Sequence, residues 1–245
     1  MHYLNLEDWT RRSSPVHARE ARVKLAALMV FLIAVGSAGR LPWPVAIALA
    51  LLLLAGLVAA RLPVAGVLLR AGAVLPFGLT LAVVTALAGD LGRGASLLTK
   101  SYLSAVAVVL LTATTTLPEI LRALESFRAP RLLLLVVQFL YRYLLVLAGQ
   151  ATRMRMAAEC RGGRGRRWRF QAAAGSLAVL FGSSRRRADG IYRAMLARGF
   201  DGRWPALAPK PFRAADAWFL LIAAGAPLAI RLSPDLPHLG AAWLR

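Results

Sequence analysis

The chain has 245 residues, 58% of them hydrophobic, and carries 31 Lys+Arg against 11 Asp+Glu for a formal net charge of +20. That apolar fraction exceeds the ~45–50% usual in soluble domains and excludes an ordinary soluble fold, while the charge fits either a nucleic-acid binder or the cytoplasmic loops of a membrane protein. The lone Cys160 excludes an intrachain disulfide and a Cys-based zinc motif, and His2, His17 and His238 show no ligand spacing, so no metal site is expected.

The first residues are mostly polar, so no cleavable signal peptide is expected before the first apolar run, Val23 to Gly39. At 1.5 Å per residue that run crosses most of a hydrocarbon core of about 30 Å. "RLPWP" interrupts it, with Trp43 suited to an interface. Pro44 to Ala60 is the second expected span. The third run, Val64 to Gly89, holds Arg70 and Pro76 and reads as an interfacial lead-in followed by a span over Ala71 to Ala88. After the polar "GDLGRG", a fourth span is expected from about Tyr102 to Leu117, closing on "TATTT", whose hydroxyls can bond back to the helix. A last, shorter run covers Ala217 to Ile230 and contains Pro227.

Between the fourth and last spans the pattern changes. "LPEILRALESFRAPR" puts Ile120, Leu121, Leu124 and Phe127 on one side of a helix with charges between, and Arg122 and Arg128 stand at i,i+3 from Glu119 and Glu125. Leu132 to Gly149 is apolar enough for a span but contains Gln138 and Arg142, and an arginine at mid-bilayer costs about 2.5–3.5 kcal/mol. From Gln150 to Arg213 there are fifteen Lys+Arg against three acids. Four clean spans return the chain to its starting side, so the basic N-terminal approach and this window share one face. Full crossing by Leu132 to Gly149 would export the most basic segment, against the positive-inside tendency. The expectation is a helix of about 28 residues and roughly 42 Å, reaching Glu159, that lies in or under the interface with Arg142 snorkelling to water.

Two Arg-Gly pairs stand in that basic window, in "AAECRGG" and "AMLARGFDG". Each follows a helix-like run, Met154, Ala157 and Ala158 in one and Ile191, Ala194 and Met195 in the other. Gly162 and Gly199 tolerate the left-handed conformation of a helix end, and the preceding Arg161 and Arg198 suit the negative end of the helix dipole. They read either as C-caps with incidental arginines or as a docking surface, since a guanidinium at a helix end can grip a carboxylate on another protein.

At these two motifs the chain resembles the T component of energy-coupling factor transporters, of the CbiQ type. "SPVHAREARVKL", "TTTLPEILRALESFRAPR" and "FLYRYLLVLAGQATRM" agree, with Glu20-Ala21 and Gly149-Gln150 departing from the family pattern. The resemblance implies an all-α polytopic membrane protein of about five transmembrane helices, with amphipathic cytoplasmic coupling helices inserted before the last span. The division it implies is 1–117 for the N-terminal segment and four spans, 118–213 for the coupling module, and 214–245 for the last span and tail. It implies a non-catalytic subunit in the cell's inner membrane, N-terminus and coupling module cytoplasmic, partnered by two ATP-binding cassette ATPases and a membrane-embedded substrate-binding S component. Arg161, Gly162, Ala197, Arg198 and Gly199 would seat in the ATPases. Leu132, Leu135, Val136, Phe139, Leu140, Tyr143 and Leu144 would grip the S component. No cofactor would bind this chain, ATP belonging to the partners, and the cargo would be a micronutrient, cobalt or nickel ions above others, of the kind cobalamin biosynthesis uses.

Two rival classes are weaker. An integral-membrane enzyme acting on lipid-phosphate substrates needs convergent acids or histidines, and none stands at useful spacing. A nucleic-acid binder would use "GGRGRRWRF" or "SSRRRADG", both of which read better as headgroup or solvent contacts. There is no G-x-x-x-x-G-K-[ST] loop for ATP.

Overall fold

The computed structural model describes residues 14–39, 41–162, 165–200 and 214–232, all helical apart from turns and connections. His2, His238, Arg40, Arg164, the Asp201 and Gly202 that close "ARGFDG", and the C-terminal tail lie outside the described residues. The helices are α1 (Ala21–Gly36), α2 (Trp43–Ala59), α3 (Val64–Ala71), α4 (Leu75–Leu87), α5 (Leu91–Thr114), α6 (Leu117–Ser126), α7 (Arg131–Cys160), α8 (Arg166–Ala197) and α9 (Ala214–Leu232). They group into two compact units, one of α1–α6 with α9 and one of α7 with α8. Helix α6 thus packs with the spans, against α1.

Val64–Leu87, Leu91–Thr114 and Leu132–Cys160 are long and apolar enough to cross a membrane, and Trp43–Ala59 and Asp216–Ile230 are shorter apolar helices. The chain is a polytopic, all-helical membrane protein. Sequence and structure differ at two joints. The segment expected as an interfacial lead-in, Val64 to Arg70, is continuous with α4 through a 3-10 turn at Gly72–Val74. Pro76, in the first turn of α4, has no N–H to donate backward and crowds the carbonyl four residues earlier, which accounts for the tightened turn. The "GDLGRG" turn is shorter than expected. Asp90 Oδ1 accepts the Arg93 N–H at 2.9 Å as an N-cap, so α5 starts at Leu91, eleven residues before Tyr102.

Close approach explains why α5 admits glycine. A Cβ at Gly94 would lie 2.7 Å from the Ala82 carbonyl oxygen, and one at Gly78 would lie 2.6 Å from Ser101 Oγ. Small residues let the α4 and α5 backbones meet, as in membrane helix pairs generally.

Two lysines tie α1 to the antiparallel α5. Lys24, 5% exposed, donates to the Thr114 carbonyl at 2.9 Å, where α5 ends, and to Thr115 Oγ1 and the His17 carbonyl at 3.4 Å. Lys100 donates to the carbonyls of Ala38 and Gly39, just beyond the end of α1. Each ammonium therefore sits at the negative end of the other helix's dipole. Between the clamps lies one apolar core, with Phe31 and Val35 of α1, Leu49 and Leu57 of α2, Val67 of α3 and Val106 of α5. The expected hydroxyl bonds in "TATTT" are present, Thr112 Oγ1 to Val108 O at 3.1 Å and Thr114 Oγ1 to Leu110 O at 2.9 Å.

On α6, Leu121 and Ala123 are buried, while Phe127, expected on the same apolar side, is 54% exposed. Phe127 is the C-cap residue, past the last helical turn, so helical spacing no longer governs it. Glu119 accepts the Thr116 N–H at 3.2 Å in a capping box, and Arg122 Nε donates to the Pro118 carbonyl at 3.2 Å.

In the second unit α7 is one helix of 30 residues and α8 one of 32. Half-buried residues recur at helical spacing on each: Tyr143, Leu147, Gln150, Met154 and Ala158 on α7, and Trp168, Ala172, Ser176, Leu180 and Ser183 on α8. Gln150 Nε2 donates to Ser183 Oγ at 3.2 Å, and both residues belong to these stripes, which marks them as the facing sides.

Candidate functional site

Both Arg-Gly pairs end long helices, and both ends have the same geometry. Arg161 is the C-cap of α7 at φ −76°, and Arg198 the C-cap of α8 at φ −92°. The glycines that follow take φ +74° at Gly162 and +77° at Gly199, the left-handed region that L side chains rarely adopt. The Gly162 N–H donates to the Glu159 carbonyl at 3.2 Å and the Gly199 N–H to the Leu196 carbonyl at 3.0 Å. At α8 the Phe200 N–H also reaches the Met195 carbonyl at 3.0 Å, completing a Schellman closure. Glycine here answers the backbone angle. A Cβ would meet nothing within 4 Å among the described residues at either position.

The open space matters for what the ends can do. Arg161, Gly162, Ala197, Arg198 and Gly199 are all exposed. Arg155 and Glu159 pair across one turn at 3.5 Å while remaining largely in solvent, which leaves the Arg161 end predominantly cationic. Since α8 begins just after Arg161 and spans 32 residues, the two arginines stand apart by on the order of 45 Å, the length of that helix. They form two separate cationic tips, too distant for one small ligand.

The apolar face read from the sequence lies on the first half of α7. Leu132, Val136, Leu140 and Leu144 are exposed, Leu132 by 76%, and Leu135, Phe139 and Tyr143 are half-buried beside them. The Phe139 and Tyr143 rings stack with centroids 6.3 Å apart and planes 9° apart, which stiffens that face. Gln138 and Arg142 are exposed, and Arg142, seven residues after Leu135, stands at the edge of that face. By length and composition Leu132–Cys160 qualifies as a span, so only the charge argument distinguishes an interfacial course for it.

Sequence reasoning missed the Gln150–Ser183 bond that joins the two rods. A pair of polar residues at matching helical register was its only sequence trace. Among the described residues no group of three or more His, Cys, Asp or Glu could hold a metal ion.

No protein of curated function matches the chain. The family model for CbiQ, described as a cobalt transport protein, matches residues 12–207, a span that includes both arginine tips and the apolar face of α7, and the chain belongs to that family of membrane transport proteins.

Proposed function

We propose that the chain is the coupling subunit of an energy-coupling factor transporter. Arg161 and Arg198 dock into two ABC-type ATPase subunits, and the movement of those subunits travels along α7 and α8 to a separate membrane-embedded S component that binds the cargo. The observation that supports this reading best is the pair of equivalent, exposed, left-handed helix ends carried on two touching rods. A cation at a helix C-terminus with free space around it suits an acidic groove in a partner. Two such tips far apart suit two copies of one partner.

In this reading ATP binds only the ATPases, and Leu132, Leu135, Val136, Phe139, Leu140, Tyr143 and Leu144 hold the S component. The basic α7–α8 unit and the N-terminus face the cytoplasm of a cell whose inner membrane holds the spans, and α7 runs along the interface. The cargo is a cobalt or nickel ion, consistent with the family's description as cobalt transport, and feeds a cobalamin-type requirement.

Replacing Arg161 and Arg198 together by Glu tests the proposal. The double variant should insert and fold normally, lose both ATPases on purification, and abolish metal uptake. Arg198→Ala alone should reduce uptake more than Arg193→Ala, which removes an exposed charge from the same helix outside the tip. Undiminished copurification with undiminished uptake, or equal effects of the two alanines, would overturn the assignment.

A further inference from the structure

Helix α8 carries a second feature, on the side turned away from α7. From Phe170 to Gly182 thirteen consecutive residues lack any charge, and no acid occurs between Glu159 and Asp189. Phe170, Ala174, Leu177 and Phe181 recur at intervals of four, three and four, so they share one face. That face is open: Phe170 is 75%, Leu177 67% and Phe181 72% exposed. The half-buried stripe Ala172, Ser176, Leu180 and Ser183, which meets α7, lies on the other side. Arg167 stands one turn before Phe170 and Arg185 one turn after Phe181, both exposed and both at the edge of the apolar face. Arg186 and Arg187 extend the cationic end.

We propose that this face of α8 seats in an anionic phospholipid surface, with Phe170, Leu177 and Phe181 wedged among the acyl chains and Arg167 and Arg185 on headgroup phosphates about 27 Å apart. Three points favour lipid over a protein or a nucleic acid. The stripe is narrow and carries bulky apolar tips, which a phosphate backbone would leave in water. Its flanks hold cations of one sign with no acid among them, matching a uniformly negative surface. The chain is already a membrane protein, so such a surface lies beside it. Each basic residue at an anionic membrane contributes about 1 kcal/mol, and two or more with three apolar wedges hold a helix in place without spanning.

The test uses the full chain in proteoliposomes. On a Cys160→Ser background, Leu177→Cys, Phe181→Cys and Val179→Cys each carry an environment-sensitive dye. Val179, 54% exposed and about 200° around the helix from Leu177, is the opposite-face control. In phosphatidylcholine with phosphatidylglycerol, dyes at 177 and 181 should be quenched by spin-labelled lipid at least about twofold more than the dye at 179, and should resist aqueous iodide. Arg167→Gln and Arg185→Gln should each lower the ratio of lipid-seated to water-exposed dye by about fivefold, with size-exclusion profile and helicity unchanged. Iodide access at 177 and 181 equal to that at 179 would overturn the proposal. So would protection from lipid and iodide alike once ATPase and membrane partners are present, since a protein would then cover the face. Either failure leaves the coupling reading intact, because that reading is tested at Arg161 and Arg198.

Discussion

The bundle of α1–α6 with α9 and the pair α7–α8 spend their side chains differently. In the bundle, several charged groups are turned inward and consumed: Lys24 is 5% exposed with three acceptors, and Asp216, 4% exposed, faces Arg19 at 3.8 Å. In the pair, arginines and large apolar residues alike point outward, and a hydrogen bond between side chains joins the rods, Gln150 to Ser183 at 3.2 Å. A burial-driven unit is specified by its own chain. A unit of exposed tips and stripes has its contact energy still to be realised, against partners or lipid. Substitutions in the first should therefore act on stability, and substitutions in the second on association.

The largest effect should come from Gly94→Val. The new Cβ would press on the Ala82 carbonyl, 2.7 Å away, and backbone cannot rotate aside as a side chain can. Overpacking of this kind costs typically 1–3 kcal/mol, and a chain of this size loses about 2–4 °C in Tm per kcal/mol. Gly92→Ala, whose Cβ would lie 3.8 Å from Asp90 Oδ1, is the neutral control. Thermal unfolding in detergent checks both. Equal behaviour would mean that the α4–α5 contact does not hold the bundle.

Next is Lys24→Met. It leaves the buried Thr114 carbonyl without its ammonium donor, at a cost of about 1–3 kcal/mol. Lys100→Met should cost less, since its Gly39 partner is exposed and water can replace the lysine. The order of the two melting shifts reads out which end of the α1–α5 pair is the drier. Reversal would contradict the burial pattern.

Much of this is legible in the amino-acid sequence alone. The apolar runs, the long α7 and the left-handed glycines at 162 and 199 follow from hydropathy, helical spacing and turn chemistry, all local properties of the chain. The lysine clamps were not legible. Lys24 lies within an apolar run and Lys100 between two hydroxyl residues, and nothing local says that each will meet a carbonyl from a helix tens of residues away. Asp90 as an N-cap was within reach of the sequence, but the glycines after it pointed to a loop. The 2.7 Å approach of the Ala82 carbonyl explains why the helix holds Gly94. For the site, the two arginine tips were readable from Arg-Gly grammar, while their shared geometry and separation needed both helix lengths.

A smaller, local effect is expected at the tips. Gly199→Val forces a β-branched residue to φ +77°, at roughly 1–2 kcal/mol, and nothing else among the described residues crowds it. The last turn of α8 should fray, seen as faster hydrogen exchange at the Gly199 and Phe200 amides, with the bundle's Tm unmoved. Gly199→Asn should behave more like wild type, because asparagine tolerates that region. If uptake falls while exchange does not change, the glycine is needed as a small surface for a partner, and its backbone angle is incidental.

The smallest thermodynamic effect, and the sharpest test of the two-unit picture, is Gln150→Leu. It removes one neutral hydrogen bond, worth about 0.5–1.5 kcal/mol, and keeps an apolar side chain in the half-buried stripe. The bundle should melt unchanged. That bond links the facing stripes of the two rods, so their mutual setting should loosen. Spin labels near Arg161 and Arg198 would show this as a broadened distance distribution around a similar mean, since that mean is fixed chiefly by the length of α8. If the rods transmit movement as a unit, uptake should drop out of proportion to the stability lost. Unchanged uptake with a broadened distribution would mean that each tip acts on its own partner independently.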